Sequence, residues 1–153
     1  MSAKTNHRAE DVALKLIARA EQNSTGLSAK LERKGFDTAA ISEVISDLLD
    51  RGLLNDERYA VLWLRSRLAK QIQSPKWLLF SLRKRGIDRN SAQKALDKVL
   101  DPETEYALLL KYIEKQKNSQ LFEKIGILPL RTTLKYEGFS VLSLDRYFDD
   151  PLS

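Results

Sequence analysis

The chain has 153 residues, 42% of them hydrophobic and 31% charged, with six Gly, four Pro and no cysteine. That length can bury a sizeable core, the shortage of Gly and Pro argues against a turn-rich β fold, and the absence of cysteine excludes disulfides, thiolate metal sites and Cys nucleophiles. The net charge of +5 is unevenly placed: residues 1–50 hold 7 Lys/Arg and 8 Asp/Glu, residues 51–100 hold 12 and 4, and residues 101–153 hold 7 and 9. The middle third therefore carries +8, which points to a polyanionic or acidic partner, with a solvated helix face as the plainer alternative.

Residues 1–8, MSAKTNHR, read as a disordered N-terminus, polar and without a signal-peptide stretch. No segment reaches the roughly 18 apolar residues of a membrane span, so a cytoplasmic protein without membrane contact is expected. A first helix is predicted over residues 9–22, with Val12, Leu16 and Ala20 on one stripe. Asn23 then stands at a cap position, and Leu31-Glu32-Arg33-Lys34-Gly35-Phe36 reads as a helix stop. Gly just past a helix end takes the left-handed conformation that closes the C-terminus, and the apolar residue after it packs back on the last turn. Asp37 next caps a new helix, whose apolar face is Ile41, Val44, Ile45, Leu48 and Leu49.

The same order returns twice. A helix over residues 56–71, opened by Asp56 and Glu57, precedes the Ser74-Pro75 start of the next one. That helix stops at Leu82-Arg83-Lys84-Arg85-Gly86-Ile87, and Asp88 caps a third with Ala92, Ala95, Leu96, Val99 and Leu100 in register. The last copy opens at Asp101-Pro102, runs a helix over residues 102–117, inserts residues 118–128, and stops at Leu134-Lys135-Tyr136-Glu137-Gly138-Phe139. Ser140 caps its final helix, with Leu144, Tyr147 and Phe148 on the apolar face. The corner glycines are 51 and 52 residues apart, which is the mark of an internal repeat. The fold expected is all-α: three tandem three-helix repeats over 9–52, 53–100 and 101–153, forming an elongated, curved body. The insertion at 118–128 is expected to be a short extra helix or an ordered loop.

This arrangement resembles the RecX family of recombination regulators over about residues 9–148. The most specific stretch is Gly52-Leu53-Leu54-Asn55-Asp56-Glu57-Arg58-Tyr59-Ala60, which is similar to that family's junction between its first two three-helix units, and Lys30 to Phe36 and Arg83 to Ile87 match as well. The chain departs from the family at Asn23 and Gly26, where a Ser-x-x-Glu capping box is usual, so the second helix is expected to start weakly. It departs again at Ser74-Pro75-Lys76-Trp77, where a Gly-Pro pair followed by a branched aliphatic is common. The resemblance implies a monomeric regulator that binds the RecA recombinase filament, and also single- or double-stranded DNA, and that restrains ATP hydrolysis, strand exchange and co-protease activity.

The residues themselves favour binding over catalysis. His7 is the only histidine, and the six glycines are isolated, so neither a His base nor a phosphate-binding loop is expected. No catalytic residue, cofactor or metal ligand is assigned; Asp56-Glu57 and Asp149-Asp150 read as helix-end or solvated acids. The candidate partner- or DNA-binding residues are Arg65, Arg67, Lys70, Lys76, Arg83, Lys84, Arg85 and Arg89, expected to converge on one basic ridge. Trp77 and Phe80 either stack on bases beside these cations or pack in the core, and Trp63 is expected in the core. Lys94, Lys98, Lys111 and Lys115 are expected to be ordinary solvated lysines. The rival readings are a helix-turn-helix-like DNA-binding protein with no recombinase partner, and an adaptor for some other acidic protein.

Overall fold

The computed structural model describes residues 2–117 and 127–149, and every regular element among them is helical. In chain order these are α1 (Ser2–Arg19), α2 (Ser24–Arg33), α3 (Thr38–Asp50), α4 (Asp56–Lys70), α5 (Pro75–Lys84), α6 (Arg89–Val99), α7 (Pro102–Lys117), α8 (Ile127–Tyr136) and α9 (Val141–Phe148). The expected disorder over residues 1–8 is corrected, since α1 is helical from Ser2. The Asn6 amide donates to Glu43 on α3, so the early turns have a neighbour to hold them. The insertion at 118–128 lies outside the described residues except for its last two, which begin α8.

All three Gly corners close as the sequence predicts. Gly35, Gly86 and Gly138 have φ of 90, 89 and 96°. The amides of Phe36, Ile87 and Phe139 reach back to the carbonyls of Leu31, Leu82 and Leu134 at 3.3, 3.1 and 3.2 Å, which satisfies acceptors that a helix end leaves open. Beyond each corner, Asp37 accepts from the Ala40 amide, Asp88 from Ser91 and Ser140 from Ser143. Asn23 caps α2 through a 2.7 Å bond from the Gly26 amide. Another donor of that first turn, Ser24 N–H, goes to Asp56 Oδ1 at 2.7 Å, so a carboxylate from α4 satisfies an open amide at the start of α2.

Two apolar cores result. One is built by α1–α3 with the junction that follows, from Ala9, Ala13, Leu27, Leu31, Ile41, Val44, Leu48 and Leu54. The expected stripe on α1 is shifted: Ala9 and Ala13 are fully buried, while Ala20 is exposed. The other core runs without a break from Ala60 and Leu64 on α4, through Leu78, Leu82 and Ile87, to Leu109, Ile113, Leu134, Phe139 and Leu144.

Successive groups meet through the corners. Thr25, in the first turn of α2, donates to the Gly86 carbonyl at 3.1 Å. One repeat later the Lys76 amide, in the first turn of α5, donates to the Glu137 carbonyl at 2.9 Å, and Ser74 Oγ donates to Glu137 Oε2 at 2.8 Å. Each later corner thus rests on the start of the middle helix of the group before it.

Candidate partner-binding surface

Helix α4 contributes Trp63 and Arg67 one turn apart, and α5 contributes Trp77 and its C-cap residue Arg85. The Arg67 guanidinium lies 4.9 Å from the Trp63 ring centre and 5.6 Å from that of Trp77, and the Arg85 guanidinium lies 5.1 Å from Trp63. Cation and indole therefore alternate as Arg85, Trp63, Arg67, Trp77. Stacking holds the two guanidinium planes while leaving donors at their edges, though Arg67 spends one on Gln71 Oε1 at 3.0 Å. Trp63 is half-buried against the core, as expected, whereas Trp77 is 39% and Phe80 63% exposed, so core packing does not account for the last two.

The outward face of α5 continues this surface. Lys76, Phe80, Arg83 and Lys84 follow the spacing of one helix side, and all are exposed, while Leu78 and Leu82 point into the core. The Lys76 ammonium sits 3.3 Å from the Tyr136 ring centre, which ties this face to the end of α8.

The single ridge expected from the sequence is divided. Arg65 lies beside Asn55, Arg58, Leu62 and Lys98, on the other side of α4 from Arg67, because two residues turn a helix by about 200°. Lys70 lies at the end of α4 beside Ile72, Thr104 and Lys111, facing α7. Arg89 opens α6 and is exposed. What the structure brings together is Arg67 with Arg85 through the indoles, and Lys76 with Arg83 and Lys84 along α5.

Ion pairing separates this surface from the rest. Among the described residues, Arg51, Arg58, Lys98, Arg131 and Arg146 are each paired with carboxylates. None of Arg65, Arg67, Lys70, Lys76, Arg83, Lys84, Arg85 and Arg89 is in such a pair with another described residue. Their field is directed outward rather than cancelled inside the molecule. Lys98 and Lys115, expected to be free in solvent, are both engaged: Lys98 with Glu57, and Lys115 with the Ile72 carbonyl at 3.0 Å. Beside Arg89, the Asp88 carboxyl is held below its ordinary range by the Ser91 amide and then by the Ser91 hydroxyl.

The Trp63–Arg67 contact had a sequence signal in its four-residue spacing. Tyr136 had none, being sixty residues from Lys76. The junction stretch Gly52–Ala60 proves to be a joint. Its Arg58 donates to the carbonyls of Gly52 and Leu53 at 3.1 and 3.3 Å and to Glu21 at 2.7 Å.

Residues 55–96, from the cap of α4 into α6, match the family model described as RecX, second three-helix domain. A regulatory protein RecX of Treponema pallidum is 35% identical over 109 residues, covering 71% of this chain and 66% of that protein. A regulatory protein RecX of Caldanaerobacter subterraneus is 28% identical over 138 residues, covering 90% of this chain and 68% of the relative. The crystal structure of RecX from Lactobacillus salivarius superposes with a TM-score of 0.69 at 25% identity, covering 97% of both chains. The chain belongs to the RecX family.

A second crystal structure, of a regulatory protein RecX, has a TM-score of 0.71 at 20% identity and covers 97% of this chain and 73% of that one, a likeness of fold. The chain thus spans 66 to 68% of the length of the two RecX relatives. These relatives carry the names of regulatory proteins, not of enzymes. No helix among the described residues is long and apolar enough to cross a membrane.

Proposed function

We propose that this chain is a non-enzymatic regulator that binds the RecA recombinase filament in the cytoplasm and restrains its ATPase, strand-exchange and co-protease activities, modulating recombination and repair. Membership of the RecX family supports a regulatory role. The observation that carries the binding surface is the α5 face: exposed Lys76, Arg83, Lys84 and Arg85, with no carboxylate partner among the described residues, next to the Arg67–Trp77 contact. Cations without internal partners are free to meet acidic side chains or phosphates, and a series of stacked helical groups suits a partner that is itself a repeating filament.

The test is RecA filament ATPase on single-stranded DNA with and without the chain. Inhibition is expected, and reversing Arg83, Lys84 and Arg85 to Glu is expected to leave helicity unchanged while weakening inhibition about tenfold or more. Unchanged ATPase, combined with equal and strongly salt-dependent binding to bare duplex, would replace this reading with the DNA-binding one.

A further inference from the structure

Placing the three corners in register shows a change of chemistry that the fold does not require. At the position two residues after the corner Leu and two before its Gly, the copies carry Arg33, then Lys84, then Tyr136. At the first two positions after the cap they carry Thr38 and Ala39, then Arg89 and Asn90, then Val141 and Leu142. All of these residues are exposed. The middle corner is therefore basic where the last is apolar, with Tyr136 71%, Val141 53% and Leu142 78% exposed. They stand at the two helix ends joined by residues 137–140, whose inward side is already filled by Phe139.

The last corner is also fixed against the basic face. Lys76 lies on the Tyr136 ring, and a Cβ on Gly138 would meet the Lys76 backbone nitrogen at 3.0 Å and Pro75 Cβ at 3.2 Å. With the continuous core beneath, the α5 cations and the apolar corner form one rigid surface. Phosphates neutralise the cations equally well, but a nucleic acid gains little from two aliphatic side chains, which cannot stack as a ring does. A protein surface uses both, because it can offer carboxylates to the cations and an apolar recess to Val141 and Leu142.

We infer that Tyr136, Val141 and Leu142 form an apolar anchor that docks, together with Lys76 and the α5 cations, on the protein surface of the filament rather than on its DNA. This rests on the recombinase reading above and deepens it by assigning the protein-contacting corner. The decisive variant gives the last corner the residues of the middle one: Tyr136→Lys, Val141→Arg and Leu142→Asn. It adds two positive charges at exposed positions, so the two possible partners respond with opposite signs.

Binding is read by fluorescence anisotropy of labelled chain, wild type and variant, against RecA filaments on oligo(dT) and against bare oligo(dT), with helicity checked by circular dichroism. Filament binding by the variant is expected to weaken about tenfold while binding to bare oligo(dT) holds or tightens. Equal or tighter filament binding by the variant overturns the anchor. The single variant Leu142→Asn adds no charge and must also weaken filament binding if the anchor is apolar. Absence of filament binding by the wild type would instead remove the recombinase reading itself.

Discussion

Gly35, Gly86 and Gly138 share a left-handed backbone but not a setting. A Cβ on Gly35 would meet open space, whereas one on Gly86 would lie 2.4 Å from Thr25 Oγ1 and 2.5 Å from Thr25 Cβ. Gly35→Ala should therefore cost only the left-handed strain, about 1–2 kcal/mol, and Gly86→Ala more, because the α2–corner contact must also open. Urea unfolding of both variants checks the order, and adding Thr25→Ala to Gly86→Ala should recover part of the excess. Titration at the caps adds a second residue-scale expectation. The folded Asp88 carboxyl titrates below its unfolded value, so the stability it contributes is present above that unfolded value, near pH 4, and is lost as pH falls through the lower folded one. Asp88→Asn keeps a capping side chain, so it should leave neutral stability nearly unchanged and flatten the loss of stability below pH ~4. Thermal melts across that range would show it.

At the scale of elements, the junction between α3 and α4 acts in two directions. Asn55 caps α4 through the Arg58 amide at 2.9 Å, which frees Asp56 to accept both the Ser24 amide and hydroxyl, at 2.7 and 3.0 Å. Asp56→Ala should therefore cost about 1–2 kcal/mol through the start of α2 rather than through its own helix. Hydrogen exchange should localise the loss to the first turn of α2, with α4 amides unaffected. The caps of α3 by Asp37 and of α6 by Asp88, the stop at each Gly and the apolar spacing of α6 and α9 are local matters, and the sequence reads them correctly. It misses Asn55 as the cap of α4, however, and puts Leu49, 42% exposed, on the apolar face of α3. The service of Asp56 to α2 is not local, and neither is that of Glu105, which accepts the Ser140 amide at 2.6 Å. Nothing in the spacing of 24 and 56, or of 105 and 140, signals either bond.

Across the whole molecule the cores are unequal partners. The α1–α3 group has its own core and meets the rest through bonds such as Thr25–Gly86, Ser24–Asp56 and Arg58–Glu21. The α4–α9 groups share one core. Polar joints between separate cores open at lower cost than a continuous apolar interior. Native-state hydrogen exchange should accordingly show α1–α3 amides opening as a set below the global unfolding of α4–α9, and Asp56→Ala should widen the gap. Uniform opening of all helices at one free energy would contradict the division.

The sequence by itself determined the helices apart from the early turns of α1, most of their caps, the three Gly corners and the family, because each rests on contacts within a few residues or on a pattern repeated along the chain. It also placed the charge in the middle third. Only the tertiary structure decided how that charge is used. Arg65, Arg67 and Lys70 are neighbours in the chain yet face three directions around α4, while Arg67 and Arg85 meet across the indoles of Trp63 and Trp77. Tyr136 joins Lys76 for the same reason: the last corner docks on the start of α5, and that docking depends on which surfaces pack together, not on spacing along the chain.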